Sequence, residues 1–232
     1  MKAFLLAAGF GTRLRPLTEQ MPKCLVPIQG RPLLEWWLML LKRHGITEVL
    51  INTHYLAEQV RTYIAQYNAQ DTGLTLTEFY EPTLLGSGGT VWANRDFVQN
   101  EREFLICYAY NLTNLDLTSL LAAHRSGNQV LTMALFRAEH PEQCGIATLD
   151  ESGKIVSFIE KPSSPKSNLA NAGIYIAGQA VFDFFPKSSF LDLGKDVLPG
   201  LVGRMTGWET KDYLLDIVTP ENYKKAQWEW II

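Results

Sequence analysis

The apolar run KAFLLA (residues 2–7) opens the chain and gives way at once to a glycine-bearing loop. From there, short apolar or alternating runs, which predict strands, are followed by stretches with apolar positions three and four apart, which predict helices. RPLLEWWLMLLKRHG (31–45) predicts a helix with Pro32 near its first turn and Gly45 as its stop. EVLINT (48–53) is the next strand, LAEQVRTYIAQYN (56–68) an amphipathic helix, and LTLTEFYE (74–81) a third strand. A glycine-rich loop then leads into a helix near 88–98. FLICYAYNLTNLD (104–116) supplies a fourth strand that breaks into turn residues after Tyr110, and a helix follows over LTSLLAAHRSG, with Asp116 as its cap.

This alternation predicts an α/β fold with a parallel sheet and helices on both faces. Past residue 129 the rhythm changes: QVLTMALFR, GIATLD, KIVSFIEK and AGIYIA are strands with short links, and DESGK (150–154) is a hairpin turn. Antiparallel strands and a lid-like excursion are therefore expected in the second half. Helical patterns return at 192–203 and 220–229. With no internal repeat, low-complexity tract or linker, residues 1–232 are expected to form one domain.

Composition narrows the function. A chain of 232 residues, 47% hydrophobic and 19% charged, has the profile of a soluble globular protein. Its formal charge of −3 provides no footprint for nucleic acid or an anionic membrane. Cys24, Cys107 and Cys144 are far apart and odd in number, which fits buried thiols in a reducing compartment better than a disulfide or zinc framework. The N-terminal apolar run is too short for a signal peptide, and no apolar stretch reaches transmembrane length without a charge. A cytoplasmic location is the expectation.

Chemistry concentrates where strands end. Gly9 and Gly11 follow the first strand, where glycines let backbone amides close on a polyphosphate, and Arg13 and Lys23 add fixed positive charge. The spacing is not that of a dinucleotide fingerprint, because Leu14 stands at the third glycine position, nor of a P-loop, which needs Lys-Ser/Thr after the last glycine. Trp36 and Trp37 lie in a helix apolar nearly all round, which points to core or subunit packing. His54 either touches ligand or caps a turn.

LAAGFGTRLRPLT followed by PKCLVPI resembles the signature of the sugar-1-phosphate nucleotidylyltransferases. The similarity extends along nearly the whole chain. EPTLLGSGGTV (81–91) resembles the family's second glycine loop, FIEKP (158–162) its Glu-Lys-Pro motif, NAGIY (171–175) its Asn-x-Gly-Ile-Tyr strand, and LDIVTPENY (215–223) its Asp-Ile-Gly-Thr-Pro-Glu segment. The resemblance implies a Rossmann-like mixed, mostly parallel sheet with an antiparallel sugar-binding excursion. It implies that an NTP and a sugar 1-phosphate give an NDP-sugar and pyrophosphate, with Mg²⁺ as cofactor. Among family members the chain looks most like the mannose-1-phosphate and heptose-1-phosphate guanylyltransferases, so guanylyl transfer is favoured. No acyltransferase extension follows residue 232, which argues against the bifunctional N-acetylglucosamine enzymes. A homodimer is compatible with the apolar 33–41 helix.

Residue roles carry over motif by motif. Leu6, Ala7, Ala8, Gly9, Glu81, Gly86, Gly88 and Gly89 are expected to hold the nucleotide, Gly11, Thr12 and Arg13 its triphosphate, and Lys23 the α-phosphate. Lys161 is expected to bind the sugar phosphate, and Gly145, Glu160 and Asn171, with Tyr110 beside them, the sugar. Arg13, Lys23 and Lys161 are the catalytic candidates. Asp216 matches one of the family's two metal-binding aspartates; the other falls on Tyr110, and Val218 replaces the glycine of that segment. A neutral phenol cannot replace a carboxylate's charge at a hard cation, so Tyr110 is expected to impair the metal site. The alternative is a catalytically silent nucleotide-sugar-binding or regulatory paralogue.

Overall fold

Runs rich in Val, Ile, Leu and Phe place Lys2–Leu6, Glu48–Thr53 and Thr75–Tyr80 in adjacent parallel strands, with Leu5 opposite Ile51 and Ile51 opposite Glu78. The computed structural model describes residues 1–127 and 129–230. The chain gathers into two compact units interleaved in sequence. The first comprises Met1–Leu84, Cys107–Leu115 and Asp212–Ile232; the second comprises Leu85–Ile106 and Asp116–Lys211. The sheet is mixed and flanked by helices, as the alternation of patterns predicted.

In the first unit, helix Leu33–Arg43 buries Leu33, Leu34, Trp36, Trp37, Leu38, Leu40 and Leu41 and turns Glu35, Met39 and Lys42 outward. The tryptophan pair is core, as expected, and Trp36 Nε1 donates to the Ile28 carbonyl at 3.1 Å. Gly45 adopts φ +75°, which lets the chain fold back so that the Ile46 amide reaches the Leu41 carbonyl at 3.0 Å. Helix Ala57–Asn68 buries only a stripe, Ala57, Val60 and Ile64, matching its amphipathic pattern. Cys24 and Cys107 are buried thiols, and burial pushes Cys24 up to about 12. Cys144, in the second unit, is partly buried.

Two features around Tyr110 differ from expectation. The strand Glu103–Tyr108 stops two residues before Tyr110, which lies in a turn. The chain then makes a second short strand, Asn111–Thr113, antiparallel to Leu214–Asp216. Asn111 therefore stands opposite Asp216, and the Ile217 amide donates to the Tyr110 carbonyl at 2.8 Å.

The second unit holds the antiparallel strands. Leu131–Arg137 pairs with Leu169–Gly178, and Gly145–Leu149 with Ile155–Glu160; Met205–Glu209 joins Leu131–Arg137 in parallel. The 150–154 hairpin turn forms as predicted, with Asp150 Oδ1 accepting from the Ser152 and Lys154 amides. Asp116 caps helix Leu117–Ser126 by accepting from the Thr118 and Ser119 amides, a contact worth about 1 kcal/mol. The pattern at 192–203 is not one helix: a π turn, Leu193–Val197, runs into a 3-10 turn, Leu198–Leu201, where Pro199 has no amide proton to continue a ladder. The 88–98 pattern likewise divides into helix Gly86–Ala93 and a 3-10 turn, Arg95–Val98. No described helix is long and apolar enough to cross a membrane.

Candidate active site

Within the first unit, the loop after strand Lys2–Leu6 is pinned from both sides. The Ala7 amide donates to Asn52 Oδ1 at 2.6 Å, and Asn52 Nδ2 donates to Glu81 Oε1 at 2.8 Å. Glu81 is almost wholly buried, and its backbone carbonyl meets His54 Nδ1 at 2.7 Å. Asn52 is a residue the sequence reading missed. Its signal was a carboxamide inside the apolar run EVLINT, a position that must find partners when buried. Glu81 thus orients Asn52, and Asn52 orients Ala7. The His54 ring stands edge-on to Phe10 with centroids 5.2 Å apart.

Further along the loop, Gly11 is left-handed at φ +67°, and the Thr18 hydroxyl donates to its carbonyl at 2.7 Å. A Cβ at Gly11 would lie 3.0 Å from Thr18 Cγ2, so both conformation and space require glycine. Gly9 has open space where its Cβ would stand. Thr12 and Arg13 lie in the 3-10 turn Thr12–Leu14; Leu14 is buried in the core while Arg13 is exposed.

Lys23 is the most perturbed cation of this unit. Its ammonium sits 4.2 Å above the centre of the Tyr110 ring, which stacks on Tyr108 at 5.2 Å between centroids. Burial, and then the Arg13 charge, bring Lys23 down to about 8, while Asp216 opposes that shift. A desolvated ammonium beside a second cation is poorly compensated by a π face and one carboxylate, and gains most from an incoming polyanion. The titration has a readable sign. A phosphate ligand needs the protonated amine, so kcat/KM for an NTP is expected to be flat below pH 7.5 and to fall about tenfold per unit above about 8. Lys23→Arg should remove that limb from the pH profile.

Tyr110 and Asp216, matched to one metal pair in sequence, are neighbours in space through the Asn111–Asp216 register. Asn222 Nδ2 donates to both the backbone carbonyl and Oδ1 of Asp216, an orienting contact the sequence did not suggest. No group of three His, Cys, Asp or Glu side chains is gathered among the described residues. Asp216 alone is a hard oxygen ligand of the kind Mg²⁺ accepts when substrate phosphates and water supply the rest. The residues therefore fit a one-carboxylate site.

In the second unit, Gly86 is left-handed at φ +77°, and a Cβ there would lie 2.3 Å from the Leu191 carbonyl oxygen. The Gly88 and Gly89 amides both donate to that carbonyl, at 2.8 and 3.0 Å. These two amides are thus bonded within the protein; the sequence offered the glycines as nucleotide-binding candidates and gave no sign of this internal contact. Gly86→Ala is expected to cost roughly 3 kcal/mol from strain and a clash with fixed backbone, lowering Tm by about 6–12 °C in a thermal melt.

Glu160 stands opposite Gly145 in the hairpin, and a Cβ at Gly145 would lie 2.6 Å from Glu160 Oε2. Burial raises the Glu160 pKa, with Lys161 opposing. Lys161 itself is left-handed at φ +49°, an unfavourable backbone for a residue with a Cβ, and its amide donates to the Cys144 carbonyl at 3.0 Å. Ala170 pairs with Ile146, so Asn171 lies on the strand beside Gly145. The Asn171 carboxamide donates to Tyr175 Oη at 2.7 Å and accepts from the Gly173 amide at 2.8 Å, across a register shift in its strand. Gly145, Glu160, Lys161 and Asn171 are thus gathered at one end of this unit's strands.

The nucleotidyl transferase family model matches residues 2–228. A UTP-glucose-1-phosphate uridylyltransferase of Synechocystis is 33% identical over 216 residues, covering 87% of this chain and 55% of that protein. A D-glycero-α-D-manno-heptose 1-phosphate guanylyltransferase of Aneurinibacillus thermoaerophilus is 30% identical over 232 residues, covering 99% of this chain and 98% of that one. The chain spans about half to two thirds of the length of several curated relatives it matches, the Synechocystis protein among them. A crystal structure of a Bacillus anthracis protein, with the proposed activity of a glucose-1-phosphate thymidylyltransferase, superposes with a TM-score of 0.88 at 25% identity. It covers 98% of this chain and 94% of that one. A family model matched from the first strand to the last helix leaves one assignment: the chain belongs to the nucleotidyl transferase family.

Proposed function

We propose that this protein joins an NTP to a sugar 1-phosphate, releasing pyrophosphate, and that residues 1–232 act as one nucleotidylyltransferase domain. The observation that carries the reading is the mostly buried Lys23 ammonium, 4.2 Å over the Tyr110 ring, on a side chain whose Cβ lies 3.4 Å from where a Cβ at Gly11 would stand, and under the electrostatic influence of Arg13 and Asp216. The sugar phosphate oxygen attacks the α-phosphorus; the bond from that phosphorus to the bridging oxygen breaks, and pyrophosphate leaves in line. Positioning and charge stabilisation dominate such a transfer.

The backbone of Leu6, Ala7, Ala8 and Gly9 lies against the nucleotide, with Glu81 acting through Asn52 to fix Ala7. Gly86, Gly88 and Gly89, in the second unit, shape a glycine loop for nucleotide. Gly11, Thr12 and Arg13 take the triphosphate, and Lys23 takes the charge that grows on the α-phosphate. In the second unit, Lys161 binds the sugar phosphate, while Gly145, Glu160 and Asn171 read hydroxyls, a kind of contact that discriminates strongly when buried. Magnesium held by Asp216 and the substrate phosphates would supply further charge neutralisation. Tyr110 leaves that site one carboxylate short and slows the reaction.

Guanylyl transfer is the favoured chemistry. Its support is the Aneurinibacillus heptose enzyme, matched over almost its full length, and a Mycobacterium tuberculosis mannose-1-phosphate guanylyltransferase at 30% identity. Incubation of the protein with α-³²P-labelled GTP and mannose 1-phosphate, followed by chromatography, tests it. Label in a GDP-sugar is expected; label only in GTP from this and every other sugar 1-phosphate would contradict the reading.

A further inference from the structure

The segment Leu191–Asp196 of the second unit lies outside every motif that the family resemblance assigns, yet it is tied to two of them. At one end, Leu191 accepts from the Gly88 and Gly89 amides and donates its own amide to the Leu85 carbonyl at 2.9 Å. The Leu193 amide donates to Ser87 Oγ at 2.8 Å. At the other end, Gly194 lies against Glu160: a Cβ there would stand 2.9 Å from Oε2 and 3.2 Å from the carboxyl carbon. Between them Asp192 holds the turn, accepting from the Lys195 amide at 3.0 Å. The Glu160 carboxylate is thus seated between two glycines, Gly145 across the hairpin and Gly194 on the strap.

We infer that this strap is a positioning element and that Gly194 sets the place of the Glu160 carboxylate, and through it the preference for the sugar. The inference rests on the proposed role of Glu160. Its physical basis is that neither glycine leaves room for a Cβ beside the Glu160 carboxylate. A methyl group at Gly194 would meet Glu160 Oε2 first and Asp192 Oδ1 at 3.2 Å; Asp192 is held by the Lys195 amide, so the Glu160 carboxylate, the far end of a flexible side chain, is the group that moves. A displacement of about 1 Å at a substrate-reading group is enough to cost on the order of 10²-fold.

The test is Gly194→Ala in the wild-type protein and in a Glu160→Ala background, with glucose 1-phosphate and mannose 1-phosphate as probes. In the wild-type background, KM for the sugar phosphate is expected to rise about 10- to 100-fold. KM for the NTP should hold within about twofold, and Tm within about 4 °C. In the Glu160→Ala background the same change should leave the sugar KM where it was. An equal effect in both backgrounds, or none in the first, overturns the inference. The ¹³C resonance of the Glu160 carboxyl, followed without substrate, separates this from failure of the proposed function. It is expected to move with Gly194→Ala, and a resonance that stays put overturns the positioning role. Failure of the wild type to use any sugar 1-phosphate, with the resonance shifted, overturns the proposed function alone.

Discussion

Lys23→Ala is expected to lower kcat/KM for nucleotidyl transfer by about 10³-fold, with most of the loss in kcat. The ammonium is partly desolvated, carries a neighbouring cation in Arg13, and rests on the Tyr110 ring. Such a group gains little from a distant charge and a great deal from one that develops on a phosphate within reach, so its contribution falls in the transition state. Removing it takes one repulsive partner from Arg13 and leaves the Tyr110 ring without its cation, so the fold should survive. A thermal melt within a few degrees of the wild type, alongside the kinetic loss, is the expected pair of results. Loss of nucleotide binding with no change in kcat would instead make Lys23 a ground-state anchor.

Tyr110→Asp is expected to act in the opposite direction, raising the Mg²⁺-dependent rate by about 10²- to 10⁴-fold. Asn111 and Asp216 face each other across the short two-stranded ladder, and the Ile217 amide holds the Tyr110 carbonyl, so the backbone at 110 is fixed whatever its side chain. A carboxylate there would stand beside Asp216 and give the metal a second charged ligand. Two costs accompany the gain. The ring stack with Tyr108 is lost, which lowers stability by about 1 kcal/mol. The new carboxylate also raises the Lys23 pKa, moving the alkaline limb of the pH profile upward. An increase in rate with an unshifted limb would place the two groups further apart than the ladder implies.

Much of the fold was written in apolar periodicity. The strand Glu48–Thr53 and the helices around Trp37 and Ile64 were found where the pattern placed them, because a buried face leaves little choice of residue. The failures were local and have physical causes. Ala109 and Tyr110 continue an apolar run, but the backbone turns at this point to build the ladder that carries Asp216, a long-range pairing that no local pattern encodes. Leu191–Leu201 has helical spacing, yet its amides serve Ser87 Oγ and its carbonyls the Gly88 and Gly89 amides, and Pro199 interrupts what remains. The interleaving of the two units is equally invisible along the chain, since the first is closed by Asp212–Ile232, more than a hundred residues beyond Leu84.

The candidate site suggested itself in the sequence where glycine or charge stands in a loop, a turn or at a strand end, as at Gly11, Lys23 and Glu160. It was not legible where one buried polar side chain orients another. Asn52 belongs to no motif, and Thr18 and Asn222 stand in motifs that assign them no role; only the geometry of Ala7, Gly11 and Asp216 shows why they are needed.

The most direct measurement is pyrophosphate release with Mg²⁺, from GTP, UTP and dTTP against mannose 1-phosphate, glucose 1-phosphate and a heptose 1-phosphate, for the wild type beside Tyr110→Asp. Slow release by the wild type that requires the sugar phosphate and is fastest with GTP is expected, and the same pattern, much faster, from the variant. No sugar-dependent release from either protein, while the nucleotides still bind, would contradict it.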